Sequence, residues 1–288
     1  MLLGNKSLFF NSRLVTYISA RMEYFSVGSL PVTGNVAAEY ILSKNFTVKI
    51  NAARVYRQPT LNELYWLPGG NIHLKPEQGY TVEGELNYKK EVNHLMFFVS
   101  GAAYSRTIDN WILWVPGANA NPSPINIQRV WSRGTETNWK VGYTKNKLKL
   151  GLNLITGYVL STTAASSQEN NNTLDKQLIY TPRYTLNANG NIVYNRIGIF
   201  FFHQYVGYRF TTSDNTDWLT PYQVSSLKLN YILPMKNLNL TLFASCNNLF
   251  NYSYQIIAAR PMPLRNFEIG ITIQTINKLL NNKIIRRH

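Results

Sequence analysis

The residue types that most often carry out catalysis or hold metal ions are few in this chain, and they lie apart. The four histidines stand on separate segments, at His73, His94, His203 and His288. None belongs to a His-Glu-x-x-His run, and the chain has neither a Gly-x-Ser-x-Gly elbow nor a Gly-rich phosphate loop. The one cysteine, Cys246, excludes an intramolecular disulfide and a cysteine-based metal cluster. These observations predict a protein that is not an enzyme and carries no cofactor.

The composition is unusual for a soluble protein. Charged residues make up 15% of the chain and aromatic residues 13%, whereas soluble domains carry about 25% charged residues. No stretch approaches the roughly 18 consecutive apolar residues that a membrane helix requires. If this chain enters a bilayer, it must therefore do so as strands.

The net charge of +15 first suggests a nucleic-acid partner. Apart from a basic cluster at the carboxy terminus, however, Lys and Arg are scattered singly, and the sequence contains no basic helix and no RNA-binding motif. We therefore expect no nucleic acid. Lipid headgroups, lipopolysaccharide phosphates or an anionic substrate would complement the same charge.

Alternation with a period of two dominates the chain and predicts strands, because successive strand side chains point to opposite faces. In residues 80–88, one parity is Tyr, Val, Gly, Leu, Tyr and the other is Thr, Glu, Glu, Asn. The same contrast recurs in residues 147–154, 185–194, 226–233, 237–244 and 267–274. These alternating stretches are eight to ten residues long, and with their flanking residues they predict strands of about nine to eleven residues, the length of a tilted strand that crosses hydrocarbon.

The connections between these segments alternate between short and long. Long connections are predicted at residues 26–34, 57–79, 111–128, 162–181, 211–223 and 252–265. Outer-membrane barrels have this layout, with short periplasmic turns and long extracellular loops. We predict about twelve strands, the first beginning near Leu14 and the last ending near Gln274.

A soluble β-sandwich or water-soluble barrel would also show alternation. The polar parity, rich in Asn, Thr, Ser, Glu and Lys, is too hydrophilic for a packed interior, whereas a polar lumen and a lipid-facing exterior account for both parities. Aromatic residues near strand ends are expected to form interfacial girdles. These residues are Tyr56, Tyr88, Tyr143, Tyr158, Tyr194, Tyr231 and Phe210. The predicted fold class is an all-β, antiparallel transmembrane β-barrel portion.

Three ordered blocks in residues 54–84 carry a family resemblance. They read Arg-x-Pro-Thr-x-x-Glu-Leu, then Asn-x-x-Leu-Lys-Pro-Glu, then Glu-Gly. This series resembles the barrel signature of TonB-dependent outer-membrane receptors. Its residues, to which the resemblance assigns structural roles, are Arg57, Pro59, Glu63, Leu74, Pro76, Glu77, Glu83 and Gly84. Pro59 and Pro76 would end strand pairing because proline lacks a donor, and Arg57 could join Glu63 and Glu77 at the loop base.

Two further blocks agree with the same family. Residues 132–136 are similar to its Ser-x-Gly-x-Glu strand start, and residues 247–254, with Asn248 and Phe250, are similar to its Asn-Leu-Phe run before the last strand. The resemblance spans roughly residues 14–274. We therefore predict a carboxy-terminal barrel part at residues 1–274, followed by a basic tail at 275–288. The last hairpin looks most like that of the vitamin B12 receptors.

The resemblance implies a receptor that takes up a bulky ligand such as cobalamin, a siderophore or haem. Flat loop aromatics grip such ligands with little entropy loss, although the same rings could instead pack the loops together. The candidate ligand-binding residues are Tyr65, Trp66, Trp111, Trp114, Trp218 and Tyr222. The implied location is the outer membrane of a Gram-negative, Bacteroidetes-like bacterium, with lipid and lipopolysaccharide as partners.

The family has about 22 strands around an amino-terminal plug, and this sequence accounts for about half of them. Residues 1–20 also lack the unbroken apolar core of a signal peptide. We therefore expect a fragment or split-gene product that contacts the TonB complex only through a missing plug, with an amino-terminal half as partner. The alternatives are a small passive porin and a surface barrel whose loops bind partners.

Overall fold

The computed structural model describes residues 1–25, 28–29, 31–116, 121–165, 172–236 and 238–275. In chain order the strands are β1 (Leu2–Phe9), β2 (Leu14–Arg21), β3 (Tyr24–Phe25), β4 (Gly28–Ser29), β5 (Thr33–Ile41), β6 (Phe46–Arg57), β7 (Glu77–Val92), β8 (Leu95–Pro116), β9 (Pro122–Lys145), β10 (Leu148–Ala165), β11 (Tyr184–Tyr194), β12 (Ile197–Val206), β13 (Arg209–Phe210), β14 (Trp218–Leu219), β15 (Tyr222–Pro234), β16 (Leu238–Asn247), β17 (Gln255–Ile257), β18 (Arg260–Pro261) and β19 (Asn266–Thr275). A short helix, α1 (Leu61–Tyr65), lies between β6 and β7.

Thirteen of these strands form one antiparallel sheet in the order β1-β2-β5-β6-β7-β8-β9-β10-β11-β12-β15-β16-β19. The remaining strands form two-stranded hairpins within the long loops. At the edges of the described sheet, β1 and β19 each pair with one neighbour, so the barrel wall is open between them. The predicted all-β antiparallel barrel fold is confirmed. No helix in the described ranges is long and apolar enough to cross a membrane.

The predicted strand count was one too low, because β1 precedes the expected first strand at Leu14. β1 pairs with β2 along its whole length, from Leu2 opposite Arg21 to Phe9 opposite Leu14. Neither of its parities is purely apolar: Asn5 and Ser7 share a face with its terminal hydrophobic residues, and Lys6 interrupts the other face. Without clean alternation, the strand is visible only through its pairing.

The predicted loop at residues 111–128 was also wrong. β8 and β9 stay paired beyond the other strands, from Trp111 opposite Ile127 to Pro116 opposite Pro122. They are 22 and 24 residues long, twice the predicted length. The Trp-Ile-Leu-Trp-Val run at 111–115 explains this extension, because aromatic and β-branched residues favour strands. The two strands therefore project beyond the sheet as a ribbon.

The strand register assembles the predicted apolar face. Two neighbouring rows cross β8 to β12: Leu95, Tyr143, Leu150, Ile192, Ile199 and, beside it, Phe97, Val141, Leu152, Gly190, Phe201. The opposite face of the same strands places Asn153 against Asn189. One face of the sheet is thus apolar and the other is polar, as a barrel between lipid and an aqueous lumen requires.

Strand β11 gives the height of the apolar band. Tyr184 and Tyr194 lie on the apolar parity at its two ends. The ten residue-to-residue steps from Tyr184 to Tyr194, at about 3.3 Å each and tilted by about 40°, span about 25 Å, which matches the apolar band of outer-membrane barrels. Tyr158 packs against Tyr184 with ring centroids 4.9 Å apart. The girdle prediction was wrong for Phe210, which lies in β13 within a loop hairpin.

Short turns and long loops occupy opposite edges, as the sequence predicted. Three two-residue turns begin with Asn93, Asn146 and Asn195, whose φ angles are 53°, 53° and 55°. Asparagine tolerates this left-handed region better than most residues, which favours it at tight turns. At the end of the sheet, Thr275 completes β19. The rest of the predicted basic tail, residues 276–288, lies outside the described residues.

Candidate functional site

A charged cluster closes the base of the loop between β6 and β7. The Arg57 guanidinium donates to Glu77 through Nε and Nη2, at 2.7 and 2.8 Å, and to the Glu63 carboxylate at 2.9 to 3.2 Å. Both carboxylate side chains are 10% exposed, whereas Arg57 is 41% exposed. One arginine thus links the ends of β6 and β7 to helix α1.

Local sequence places each carboxylate. Helix α1 begins with a capping box, in which Thr60 Oγ1 accepts from the Glu63 backbone N–H and the Glu63 carboxylate accepts from the Thr60 N–H. Glu77 opens β7 and accepts the Ile112 backbone N–H at 2.7 Å. The cluster therefore also holds the base of the β8–β9 ribbon.

The ionisation of Glu63 predicts a pH dependence of this loop. Burial opposes ionisation, but hydrogen bonds from Arg57 and the Thr60 backbone, with the Arg57 charge, outweigh it and lower the Glu63 pKa below its usual 4.5. A lowered pKa stabilises the folded loop above the usual value, and this stability is lost as pH falls through the lowered pKa. We expect hydrogen-exchange protection of residues 58–76, corrected for intrinsic rates, to be constant near neutrality and to fall below pH 4.5. In the Glu63→Gln variant, the loss of protection at low pH should be smaller than in the unaltered chain. Identical pH profiles for the two proteins would contradict this role of Glu63.

The loop lies against the ribbon through polar contacts. Asn71 Nδ2 donates to the Pro124 carbonyl at 3.1 Å, and Ser123 Oγ donates to the Gly69 carbonyl at 2.8 Å. Asn126 accepts from the Lys75 N–H and donates to the carbonyls of Lys75 and Asn110. These contacts make the loop and the ribbon one packed unit.

The signature residues beside this unit have distinct environments. Leu74 is buried, and the Pro76 carbonyl accepts from Asn110 Nδ2. Pro59 lies between the end of β6 and α1. On β7, Glu83 lies on the polar face opposite Asn51, and Gly84 lies on the apolar face.

Four of the six candidate ligand residues belong to this loop and ribbon. Trp66 and Trp114 pack edge to face with ring centroids 5.7 Å apart. Tyr65 is 64% exposed, and Trp111 is half-buried on the ribbon. The structure thus brings Trp66 and Trp114 together and leaves Tyr65 accessible.

Trp218 and Tyr222 belong to a second loop group, between β12 and β19. They line a cavity of about 320 Å³ with Thr220, Tyr252 and Tyr254. Tyr222 is buried and stacks on Tyr254 with ring centroids 4.7 Å apart, whereas Trp218 is 53% exposed. Of the two predicted residues, Trp218 has the accessible ring.

Arg209 holds this second group together, and sequence reasoning missed it. It is buried, donates to the Gln255 and Thr220 carbonyls at 2.9 and 2.8 Å, and lies 4.6 Å from the Tyr222 ring centroid. Burial lowers its pKa, although Tyr222 partly opposes this. The sequence feature that could have indicated a buried arginine here is its position between two aromatic residues, Tyr208 and Phe210.

Asn248 organises the loop before β19. Its side-chain amide donates to the Tyr252 and Pro263 carbonyls, and its oxygen accepts the Tyr252 N–H at 2.9 Å. Phe250, two residues on, is 72% exposed. In the part of the chain that the structure describes, no group of three or more His, Cys, Asp or Glu side chains could hold a metal ion.

Comparison with known proteins agrees with this architecture. Residues 6–249 match the family described as TonB dependent receptor-like, beta-barrel. The chain is 32% identical over 108 residues to the vitamin B12 transporter BtuB of Photobacterium profundum, covering 36% of this chain and 17% of that protein. It is 25% identical over 203 residues to BtuB of Vibrio vulnificus, covering 69% and 29% of the two chains.

Solved structures show the same fold at low identity. The siderophore receptor PirA of Acinetobacter baumannii superposes with a TM-score of 0.69 at 14% identity, over 96% of this chain and 45% of that one. The copper transporter OprC superposes with a TM-score of 0.68 at 17% identity, over 93% and 46%. The chain thus spans less than half the length of these relatives. The chain belongs to the TonB-dependent receptor β-barrel family.

Proposed function

We propose that this chain is the carboxy-terminal barrel part of an outer-membrane receptor for TonB-dependent uptake of a bulky ligand of the cobalamin, siderophore or haem class. The family match over residues 6–249 is the observation that carries this proposal. The names of the relatives support a transport role. They give different ligands, however: vitamin B12, copper, iron and siderophores. The ligand class therefore has to be tested.

Coupling to TonB is proposed to run through a plug contributed by a partner segment. The described sheet is open between β1 and β19, so an amino-terminal half with further strands could close the barrel around that plug. The Gram-negative outer membrane follows from the family, with lipid and lipopolysaccharide as proposed partners. A Bacteroidetes-like source stays a prediction.

We propose that the ligand contacts the two aromatic loop groups through their accessible rings. Tyr65 and Trp218 have the exposed side chains, while Trp66, Trp114 and Tyr222 hold their loops in place through ring contacts. Exposed aromatic rings bind large ligands well, because little side-chain entropy is lost. Trp218 also borders the 320 Å³ cavity, which makes it the best single probe.

Trp218→Ala should weaken ligand binding about tenfold, because a central aromatic contact is worth more than 1 kcal/mol. The chain would be expressed with its amino-terminal half, and uptake and binding measured for cyanocobalamin, ferric enterobactin and haemin. The matched control is Trp139→Ala, because Trp139 is 49% exposed on the lipid-facing parity. Uptake of one probe that needs both halves would support the proposal. Ion conductance by the chain alone without binding of any probe would contradict it and favour the porin alternative.

A further inference from the structure

The lipid-facing side of the sheet has a depression near the short turns. Its volume is about 680 Å³, and its lining side chains include Val141, Leu150, Leu152, Ile192 and Phe201. Gly190 is one of its lining residues, and a Cβ added there would meet nothing within 4 Å, so the missing side chain leaves this space open. A shallow apolar hollow of this kind fits acyl chains.

Basic side chains lie at the short-turn edge of this hollow. Lys145 follows Tyr143 by two residues on the same parity, Lys147 lies in the β9–β10 turn, and Arg196 lies in the β11–β12 turn. The Asn195 N–H donates to the Lys147 carbonyl at 3.0 Å, which places the two turns side by side. Two residues along a strand span about 7 Å, so Lys145 lies about 7 Å from the row of lining residues that contains Tyr143.

No acidic residue lies close to Lys145, Lys147 or Arg196 in the sequence. Residues 143–150 and 192–199 contain no Asp or Glu. Within the described ranges, none of the three bases takes part in an ion pair. By contrast, two arginines at the loop edge, Arg57 and Arg129, contact carboxylates. The turn edge therefore presents uncompensated positive charge directly beside an apolar hollow.

We propose that this surface is a binding site for one anionic phospholipid of the periplasmic leaflet. Its phosphate would lie among Lys145, Lys147 and Arg196, and its acyl chains would fill the hollow over Gly190. Short turns face the periplasm in outer-membrane barrels, so the site lies in the phospholipid leaflet and away from lipopolysaccharide. Basic side chains near a membrane surface attract anionic headgroups, and the combination of charge and hollow distinguishes a lipid from a soluble acidic partner.

Native mass spectrometry of the full chain, folded in detergent, tests this site with phosphatidylglycerol and phosphatidylethanolamine. The unaltered chain should bind phosphatidylglycerol more tightly. The triple variant Lys145→Gln, Lys147→Gln, Arg196→Gln should bind phosphatidylglycerol at least about tenfold more weakly and bind phosphatidylethanolamine as before. Gly190→Leu should weaken both lipids, because it fills the hollow. Circular dichroism checks that strand content is kept.

Two matched controls separate the site from general effects. Lys75→Gln, Lys176→Gln, Arg265→Gln removes three exposed charges at the loop edge, and Gly101→Leu adds a side chain at another lipid-facing glycine with open space. Both should bind phosphatidylglycerol like the unaltered chain. Equal weakening by both triple variants would overturn the proposal. So would unchanged lipid binding in Gly190→Leu, or full competition by glycerol phosphate, which would indicate a site for soluble phosphate.

Discussion

Arg57→Ala should release the β6–β7 loop and raise hydrogen exchange at residues 58–76 and at the Ile112 amide. The substitution leaves two carboxylates, each 10% exposed, without their cation. Breaking a buried pair costs about 3–5 kcal/mol. Because Arg57 is 41% exposed and water screens part of the interaction, we expect about 2–3 kcal/mol of lost local stability. Hydrogen-exchange mass spectrometry measures this loss directly.

The same strand supplies the control. Arg54 lies three residues earlier, is exposed, and takes part in no ion pair among the described residues. Arg54→Ala should change protection by less than about 0.5 kcal/mol. Equal loss of protection in both variants would show that the Arg57 cluster does not hold the loop.

Gly134→Ala should destabilise the β9–β10 pairing by about 3 kcal/mol, because the added methyl group has no space. Its Cβ would collide with the Tyr158 carbonyl oxygen and lie 2.8 Å from Tyr104 Oη. A backbone atom cannot give way without shifting the register between Val159 and Gly134. The free energy of unfolding in urea, measured on the chain folded in detergent, checks this.

Gly101→Ala is the matched substitution, since a Cβ at Gly101 meets nothing within 4 Å. It should be neutral or stabilising by about 0.5 kcal/mol, because alanine has less conformational freedom in the unfolded chain. If Gly134→Ala unfolds at the same urea concentration as Gly101→Ala, the close approach at Gly134 does not constrain the sheet.

Periodicity predicted the central strands well, because a wall between lipid and a lumen imposes a period of two on the sequence. It failed where that constraint ends. The mixed parities of β1 hid its pairing with β2. The ribbon at 111–128 rises beyond the apolar band, so its strands are held by pairing and intrinsic preference. The length of the 111–128 loop therefore could not be predicted from the residue at which the alternation of apolar and polar residues ends.

The candidate site was predictable in part. Glu63 and Glu77 follow Arg57 by 6 and 20 residues, and only the ordered family blocks placed the three together before the structure did. Arg209 donates to the carbonyl of Gln255, which lies 46 residues further along the chain in a different loop. Such contacts depend on how the loops fold over the barrel, and no local pattern encodes that arrangement.

A cysteine scan of β11 tests the two-faced sheet most directly. In a Cys246→Ser background, a fluorophore would be attached in turn at positions 186 to 189, 191 and 192, and quenching measured with a lipid-borne quencher and with aqueous iodide. We predict that the lipid quencher acts at Leu186, Ala188 and Ile192, and that iodide acts at Asn187, Asn189 and Asn191, which lie on the opposite parity. Quenching without a period of two, or with the two parities reversed, would contradict the membrane-spanning barrel.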